Sequence, residues 1–111
     1  SSAPGKQGYV TADEANRLTQ RRNAAPAAVI LDPDGRIGRA YDARTTPQMY
    51  IIAPDQRLAF KGAVDDDPTH RPGNVEGAHN YVRAALGELR AGLPVSEPFP
   101  RPYGCSVKYA D

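Results

Sequence analysis

The first residue that could carry chemistry is Cys105, the only cysteine in this chain of 111 residues. A single thiol excludes an intrachain disulfide and a metal site built from cysteines alone. Arg101 and Lys108 are close to it in sequence, and nearby cations favour the thiolate, the form that attacks disulfides and peroxides. The same sequence also fits a small buried residue or an inert exposed thiol, so both interpretations stay open.

A second candidate is the pair Thr46-Pro47, which comes directly before an apolar run at residues 49–53. Proline has no N–H to donate to a β-ladder, so Pro47 is predicted at the start of a strand and not inside it. Only about one X-Pro bond in twenty is cis in folded proteins, so an ordinary trans proline is the default for an isolated pair. The pair alone therefore identifies no site.

A third candidate is an acidic stretch that also contains imidazoles. Carboxylates and imidazoles bind divalent cations, but the spacing here matches no closed metal motif. Runs of charge are usually solvated. We therefore predict a solvated loop and helix face with no metal, and a metal site is the alternative. The residues concerned are Asp65, Asp66, Asp67, His70, Glu76 and His79.

Composition limits the classes of partner. Lys and Arg number 14 against 13 Asp and Glu, so the net charge predicts neither nucleic acid nor any other strongly charged partner. No window approaches the roughly 18 apolar residues of a membrane span, and no signal sequence opens the chain. The length fits one domain at most. A start without methionine predicts a processed or truncated chain.

The elements that should position these residues begin with a β-hairpin. Residues 49–53 are apolar and rich in β-formers, which predicts a strand buried on both faces. Residues 54–56 have turn chemistry. Leu58 and Phe60 then alternate with Ala59 and Lys61, which predicts a second strand with one wetter face.

Further elements are predicted on both sides of the hairpin. Thr11 and Glu14 have the spacing of a capping box, so a helix should begin after Thr11 and end near Asn23. A strand at residues 29–31 and a turn at residues 32–35 should follow.

A short helical turn containing Ile37 is then expected to pack on the sheet. A later helix should be capped by Asn74, carry an apolar stripe from Val75 to Leu89 and close at Gly92. The rest is rich in proline and aromatic residues and is predicted to be an extended arm.

The order of these elements resembles the redoxins, the peroxiredoxin-like and TlpA-like (AhpC/TSA) branch of the thioredoxin superfamily. The resemblance rests on a strand followed by Asp-Pro-Asp-Gly at residues 32–35, on Ala-Tyr-Asp-Ala at residues 40–43, and on Thr-Thr-Pro at residues 45–47. It implies an α/β thioredoxin-like fold with a cis Pro47, in which Thr46 and Pro47 line the substrate site. It also implies that Cys105, in a carboxy-terminal Tyr-Gly-Cys-Ser, is a resolving or partner thiol.

The resemblance covers only the carboxy-terminal two-thirds of a redoxin. The thiolate at a helix start that such chemistry requires is absent, because no cysteine precedes Cys105. The implied fold is incomplete, since two inner strands between residues 27–31 and residues 49–53 are missing. We expect a missing amino-terminal segment or a second copy of the chain to supply them. The chain is accordingly divided into a partial redoxin domain at residues 1–94 and a tail at residues 95–111.

The implied function is that of a fragment of a thiol-dependent redoxin, either a thiol–disulfide oxidoreductase or a peroxiredoxin-like antioxidant. Its substrate would be a disulfide or a peroxide, and no cofactor is needed. The chain alone is expected to be inactive or nearly so. Redoxins with such tails imply an exported bacterial setting. The alternative, from another class, is a non-enzymatic thioredoxin-like module whose cis-proline face binds a protein partner.

Overall fold

The computed structural model describes residues 1–69, 71, 73 and 76–111. In these residues, the helices are α1 at Ala12–Arg21, α2 at Arg36–Ala40 and α3 at Tyr81–Arg90. The strands are β1 at Thr45–Thr46, β2 at Met49–Ile52, β3 at Leu58–Gly62 and β4 at Cys105–Ser106. Strand β2 pairs with β3 and β1 pairs with β4, giving two antiparallel sheets of two strands each.

The chain divides into two compact units. The first unit is Ser1–Ala43 with Val107–Asp111, and the second unit is Arg44–Ser106. The first unit therefore holds α1 and α2, and the second holds all four strands and α3. The division at residue 94 made from the sequence stays a prediction.

In the first unit, the capping box of α1 is confirmed. The Thr11 hydroxyl accepts from the Glu14 N–H at 3.3 Å, and the Glu14 carboxylate accepts from the Thr11 N–H at 2.8 Å. The helix ends at Arg21, and Asn23 then has a φ of 49°. Only Ala15 of this helix is buried, in keeping with the thin apolar stripe of its sequence.

The predicted turn and short helix of the first unit are also confirmed. The N–H of Gly35 donates to the Asp32 carbonyl at 3.1 Å, and α2 follows. The Asp32 carboxylate accepts from the N–H groups of Ile37 and Gly38 at 3.0 and 2.8 Å and from the hydroxyl of Ser1. The predicted packing of this helix on a sheet was wrong, because the described part of the first unit contains no sheet, and Ile37 is 43% exposed.

The strand predicted at residues 29–31 is not formed, which corrects the edge strand of the predicted fold. Every residue from 21 to 31 is exposed, and none of residues 27–31 belongs to a helix or a strand. Strong β-formers are not sufficient for a strand, because the backbone also needs a neighbour to pair with. In the described residues, no such neighbour is present.

In the second unit, the predicted hairpin is confirmed. Met49 pairs with Gly62 and Ile51 with Phe60, and a register shift follows Ile51. The predicted burial of the inner strand on both faces was wrong, because no residue of β2 is buried and Ile52 is 48% exposed. A two-stranded sheet covers its strands poorly. Among the large side chains that the structure describes, Phe60 alone is fully buried.

The tail lies partly along the hairpin, which confirms an extended arm there. The N–H of Lys61 donates to the Pro98 carbonyl at 2.9 Å, and the N–H of Ala63 donates to the Pro100 carbonyl at 3.2 Å. We call residues 98–102 the proline-rich segment. A Cβ at Gly62 would lie 2.0 Å from the Pro100 carbonyl oxygen, so this approach requires glycine.

The helix α3 begins later than predicted. Its cap is Asn80, whose side chain accepts from the Arg83 N–H at 2.8 Å, while Asn74 and Val75 lie outside the described residues. Asn80 forms a β-bridge with Asp65, and an extended residue in such a bridge cannot be inside a helix. The predicted close is confirmed, since the helix ends at Arg90 and Gly92 has a φ of 73°.

Candidate functional site

The two-residue ladder between β1 and β4 brings the only thiol to the Thr-Pro segment. Thr46 pairs with Cys105, and Thr45 pairs with Ser106. Directly opposed residues of an antiparallel ladder have Cα atoms about 4.5–5.5 Å apart. Thr46, Pro47 and Cys105 are all exposed, so the three residues predicted from the sequence form one accessible patch of the second unit.

The residue that permits this pairing is Gly104, which the sequence analysis did not single out. Its φ is +129°, and a Cβ there would lie 2.3 Å from the Thr46 carbonyl oxygen and 3.2 Å from Cδ of Pro47. Only glycine avoids that clash with backbone. The glycine directly before the lone cysteine was the available sequence signal for this close approach.

Local hydrogen bonds hold the Thr-Pro segment in place. The Thr46–Pro47 peptide bond is cis, as the resemblance implied. The side-chain oxygen of Gln48 accepts from the N–H groups of Arg44 and Thr45 at 2.9 and 3.2 Å. The Thr45 hydroxyl donates to the Pro47 carbonyl at 2.9 Å. Gln48, which the sequence analysis did not identify, therefore holds the backbone at Arg44 and Thr45 in place, just before the Thr-Pro pair.

One residue of the acidic stretch, Asp65, is hydrogen-bonded to Tyr103, two residues before β4. The hydroxyl of Tyr103 donates to the Asp65 carboxylate. Removal of this hydroxyl from water, followed by its hydrogen bond to Asp65 and the nearby aspartate charges, raises the pKa of Tyr103 to about 12. The Asp66 carboxylate accepts from the His79 N–H at 2.8 Å. Asp65 therefore anchors the chain just before β4, and Asp66 anchors it just before the cap of α3.

The alternative of a metal site gains no cluster of ligands. In the residues that the structure describes, no group of three His, Cys, Asp or Glu side chains could hold a metal ion, and His70 lies outside them. Nε2 of His79 lies 3.0 Å from the Glu97 carboxylate, a contact that the spacing did not predict. Glu76 is exposed, and Asp67 accepts from the Thr69 N–H at 3.0 Å.

The arrangement can present an accessible thiol next to a strand edge. Cys105 is a free, exposed cysteine, and any disulfide it enters needs a second sulfur that residues 1–111 do not contain. In the described part of the chain, no helix has both the length and the apolarity needed to cross a bilayer.

No protein-family model matches the chain, and neither a curated protein nor a solved structure does.

Proposed function

We propose that this chain is part of a thiol-dependent redoxin with a thioredoxin-like fold, in which Cys105 undergoes thiol–disulfide exchange with an external disulfide beside Thr46 and Pro47. The observation that carries the proposal is the pairing of Thr46 with Cys105. The redoxin resemblance implies a helix-start thiol beside the residue before the proline; that thiol is absent here, and the thiol that lies beside Thr46 is Cys105 on β4, the implied resolving or partner thiol. The hairpin and α3 follow Pro47 in the order that it implies.

The geometry favours an extended peptide as the substrate. Thr46, Pro47 and Cys105 are exposed together, so an extended chain can lie across the β1–β4 pair with its sulfur at the thiol. Backbone groups of such a segment bind an extended peptide regardless of its side chains. A peroxide is the smaller substrate that the same thiol would take, with a sulfenic acid as the product.

The exchange is a simple displacement. The Cys105 thiolate attacks one sulfur of the substrate disulfide, and a new S–S bond forms as the old one breaks. The leaving sulfur carries away the electron pair and takes a proton from water. A second thiol, which residues 1–111 lack, then attacks the Cys105 sulfur of the mixed disulfide, and the remaining substrate sulfur leaves as a thiol. A segment outside residues 1–111 or a second copy of the chain would supply that thiol.

The test compares two disulfides on the full chain. Formation of the mixed disulfide is followed by intact mass, with an extended peptide disulfide and with a small-molecule disulfide of the same leaving-thiol pKa. We expect the peptide to react about tenfold faster, since its backbone binds beside the thiol. Equal rates for the two disulfides would contradict the proposal.

Gly104→Ala sharpens this experiment because it retains the thiol and displaces β4 from β1. We expect it to abolish the preference for the peptide and to leave the rate with the small disulfide unchanged. Gly87→Ala is the matched control, since a Cβ at Gly87 would meet no atom within 4 Å. If Gly104→Ala keeps the preference for the peptide, the Thr-Pro segment does not determine that preference, and the proposal is contradicted.

The second candidate is the non-enzymatic module, and the single cysteine favours it, because the chain cannot complete a disulfide cycle by itself. Cys105→Ser distinguishes the two. A binding module keeps its affinity for the peptide and captures it without a covalent bond, whereas the redoxin retains the peptide only through Cys105.

A further inference from the structure

Proline occupies every second position of the proline-rich segment, at residues 98, 100 and 102. The N–H of Lys61, in β3, donates to the Pro98 carbonyl. Two residues further along, the N–H of Ala63 donates to the Pro100 carbonyl, so the segment runs parallel to β3. In a parallel ladder, the carbonyls of Lys61 and Ala63 would accept in return from the N–H groups of residues 100 and 102. Both of those residues are prolines without an N–H, so the segment accepts two hydrogen bonds and returns neither.

Little apolar burial holds the segment against β3. No residue from 91 to 106 is buried, and Phe99, the only large apolar side chain of the segment, is 67% exposed. The backbone groups of Phe99 and Arg101 face away from β3, and neither residue makes a backbone hydrogen bond to the described part of the chain. Hydrogen bonds therefore hold the segment in place, and a single hydrogen bond contributes little net stability.

Side chains in and just before α3 hold the start of the segment. The Glu88 carboxylate accepts from the N–H and from the hydroxyl of Ser96, at 2.9 and 3.0 Å. Nε2 of His79 lies 3.0 Å from the Glu97 carboxylate. None of these four residues is buried, so water competes for each contact. The start of the segment can therefore be released without emptying a buried site.

The end of the segment leads directly to the thiol. The hydroxyl of Tyr103 donates to the Asp65 carboxylate. Cys105 follows two residues later and pairs with Thr46 in a ladder that is only two residues long. A two-stranded ladder of that length is not stable by itself. The position of Cys105 beside Thr46 therefore depends on the segment that leads to it.

We propose that residues 96–105 form a reversible strap, which lies on β3 in most molecules and leaves it in one piece while the hairpin and α3 stay folded. Opening carries Cys105 away from Thr46. The use of this motion rests on the proposed function. With the strap closed, a bound peptide covers the Cys105 sulfur of the mixed disulfide; with the strap open, the second thiol reaches that sulfur and the peptide leaves as a thiol. The strap thus gates the second step of the exchange and not the first.

Amide hydrogen exchange on the full chain tests the motion without any substrate. The N–H groups of Lys61 and Ala63 donate to the strap. Successive N–H groups of a strand point to opposite edges, so those of Phe60 and Gly62 face β2 and serve as the internal control. We expect the two strap-side amides to exchange at least tenfold faster than the controls, at a rate that dilute urea leaves unchanged, because they open without global unfolding. Equal rates on both sides, or strap-side amides as fast as in an unfolded chain, would overturn the proposal.

Two variants free opposite ends of the strap. Glu88→Ala removes both bonds to Ser96, and Tyr103→Phe removes the bond to Asp65. A strap that moves in one piece opens more often when either end is freed, so each variant should speed exchange of the strap-side amides about fivefold. Arg83→Ala, at an exposed position of the same helix as Glu88, is the control and should leave that rate unchanged. A response to only one of the two variants would overturn the proposal, because the strap would not move as a unit.

Release of the peptide from its mixed disulfide with Cys105 tests the gate, with β-mercaptoethanol as the second thiol and intact mass as the readout. Glu88→Ala should speed this release about fivefold and leave formation of the mixed disulfide unchanged. A mixed disulfide with a small thiol should be reduced equally fast in the variant and the wild type, since nothing covers its sulfur. Unchanged peptide release in Glu88→Ala would overturn the gate. Equal formation rates for the two disulfides in the wild type would instead contradict the proposed function, and amide exchange would still decide whether the strap opens.

Discussion

The proline-rich segment and residues 27–31, which we call the open segment, both lie outside the helices and strands, yet their backbones are paired differently. The Pro98 carbonyl accepts from Lys61 of β3 and the Pro100 carbonyl accepts from Ala63, just after β3, while residues 27–31 make no backbone hydrogen bond to the described residues. The stronger β-formers are thus the ones left unpaired. Pairing depends on a neighbouring backbone with free donors, and prolines can supply the acceptors for one.

Both segments end at an anchored ionisable side chain. Asp32 follows the open segment and accepts from Ser1, Ile37 and Gly38. Tyr103 follows the proline-rich segment and donates to Asp65. Both ends are therefore held by hydrogen bonds, and the difference between the segments lies in what covers their edges. A covered edge belongs to the fold, whereas an open one is available to a partner.

The largest expected effect comes from a comparison of Phe60, on the strand next to the proline-rich segment, with Ile30 of the open segment. Phe60→Ala, on the covered β3, should lower the free energy of unfolding by about 3–5 kcal/mol because it empties a fully buried site. Ile30→Ala should change it by less than about 0.5 kcal/mol, because Ile30 is 70% exposed. Urea denaturation of each variant measures both. Equal losses would mean that residue 30 is packed within the single chain.

The next effect concerns the contact between β3 and the proline-rich segment. Gly62→Ala should cost about 2–3 kcal/mol, because its Cβ meets the Pro100 carbonyl and its φ is +155°. Gly87→Ala, in the exposed part of α3, should instead stabilise the protein by about 0.5–1 kcal/mol. Urea midpoints distinguish the two. A harmless Gly62→Ala would show that the segment leaves β3 in solution.

Acid should act on the end of the open segment. The Ser1 hydroxyl, followed by the N–H groups of Gly38 and Ile37, lowers the pKa of Asp32 from 3.8 to about 2 against the opposing effect of burial. Between these values the unfolded chain binds more protons, so stability should fall as the pH drops from about 4 to about 2. Asp32→Asn should remove this part of the pH dependence of the urea midpoint. An unchanged profile in the variant would assign the acid sensitivity to other groups.

Alkali should act on the end of the proline-rich segment. The pKa of Tyr103 is raised from 10.0 to about 12, chiefly by burial and then by Asp65, so the folded chain binds more protons between these values. Stability should therefore fall as the pH rises through that range. Tyr103→Phe should flatten the decline and cost about 1 kcal/mol near neutral pH, where it loses one hydrogen bond. A decline as steep in the variant as in the wild type would contradict this role.

The elements that sequence reasoning placed correctly depend on residues close together in the chain. The capping box at Thr11 and Glu14, the turn after Asp32 and the hairpin after Pro47 involve contacts over a few positions. The start of α3 was missed because Asn80 is held by the distant Asp65. Gly104 was missed because its neighbour in space, Thr46, is far away in sequence.

The sequence by itself determined the one available thiol, the proline at the head of β2 and the local caps and turns, because these follow from residue type and short spacing. Only the tertiary structure decided that Cys105 pairs with Thr46, that prolines cover β3 and that the strongest β-formers of the first unit are left exposed. A strand gains its hydrogen bonds from whichever backbone lies beside it. No spacing within a segment specifies that neighbour.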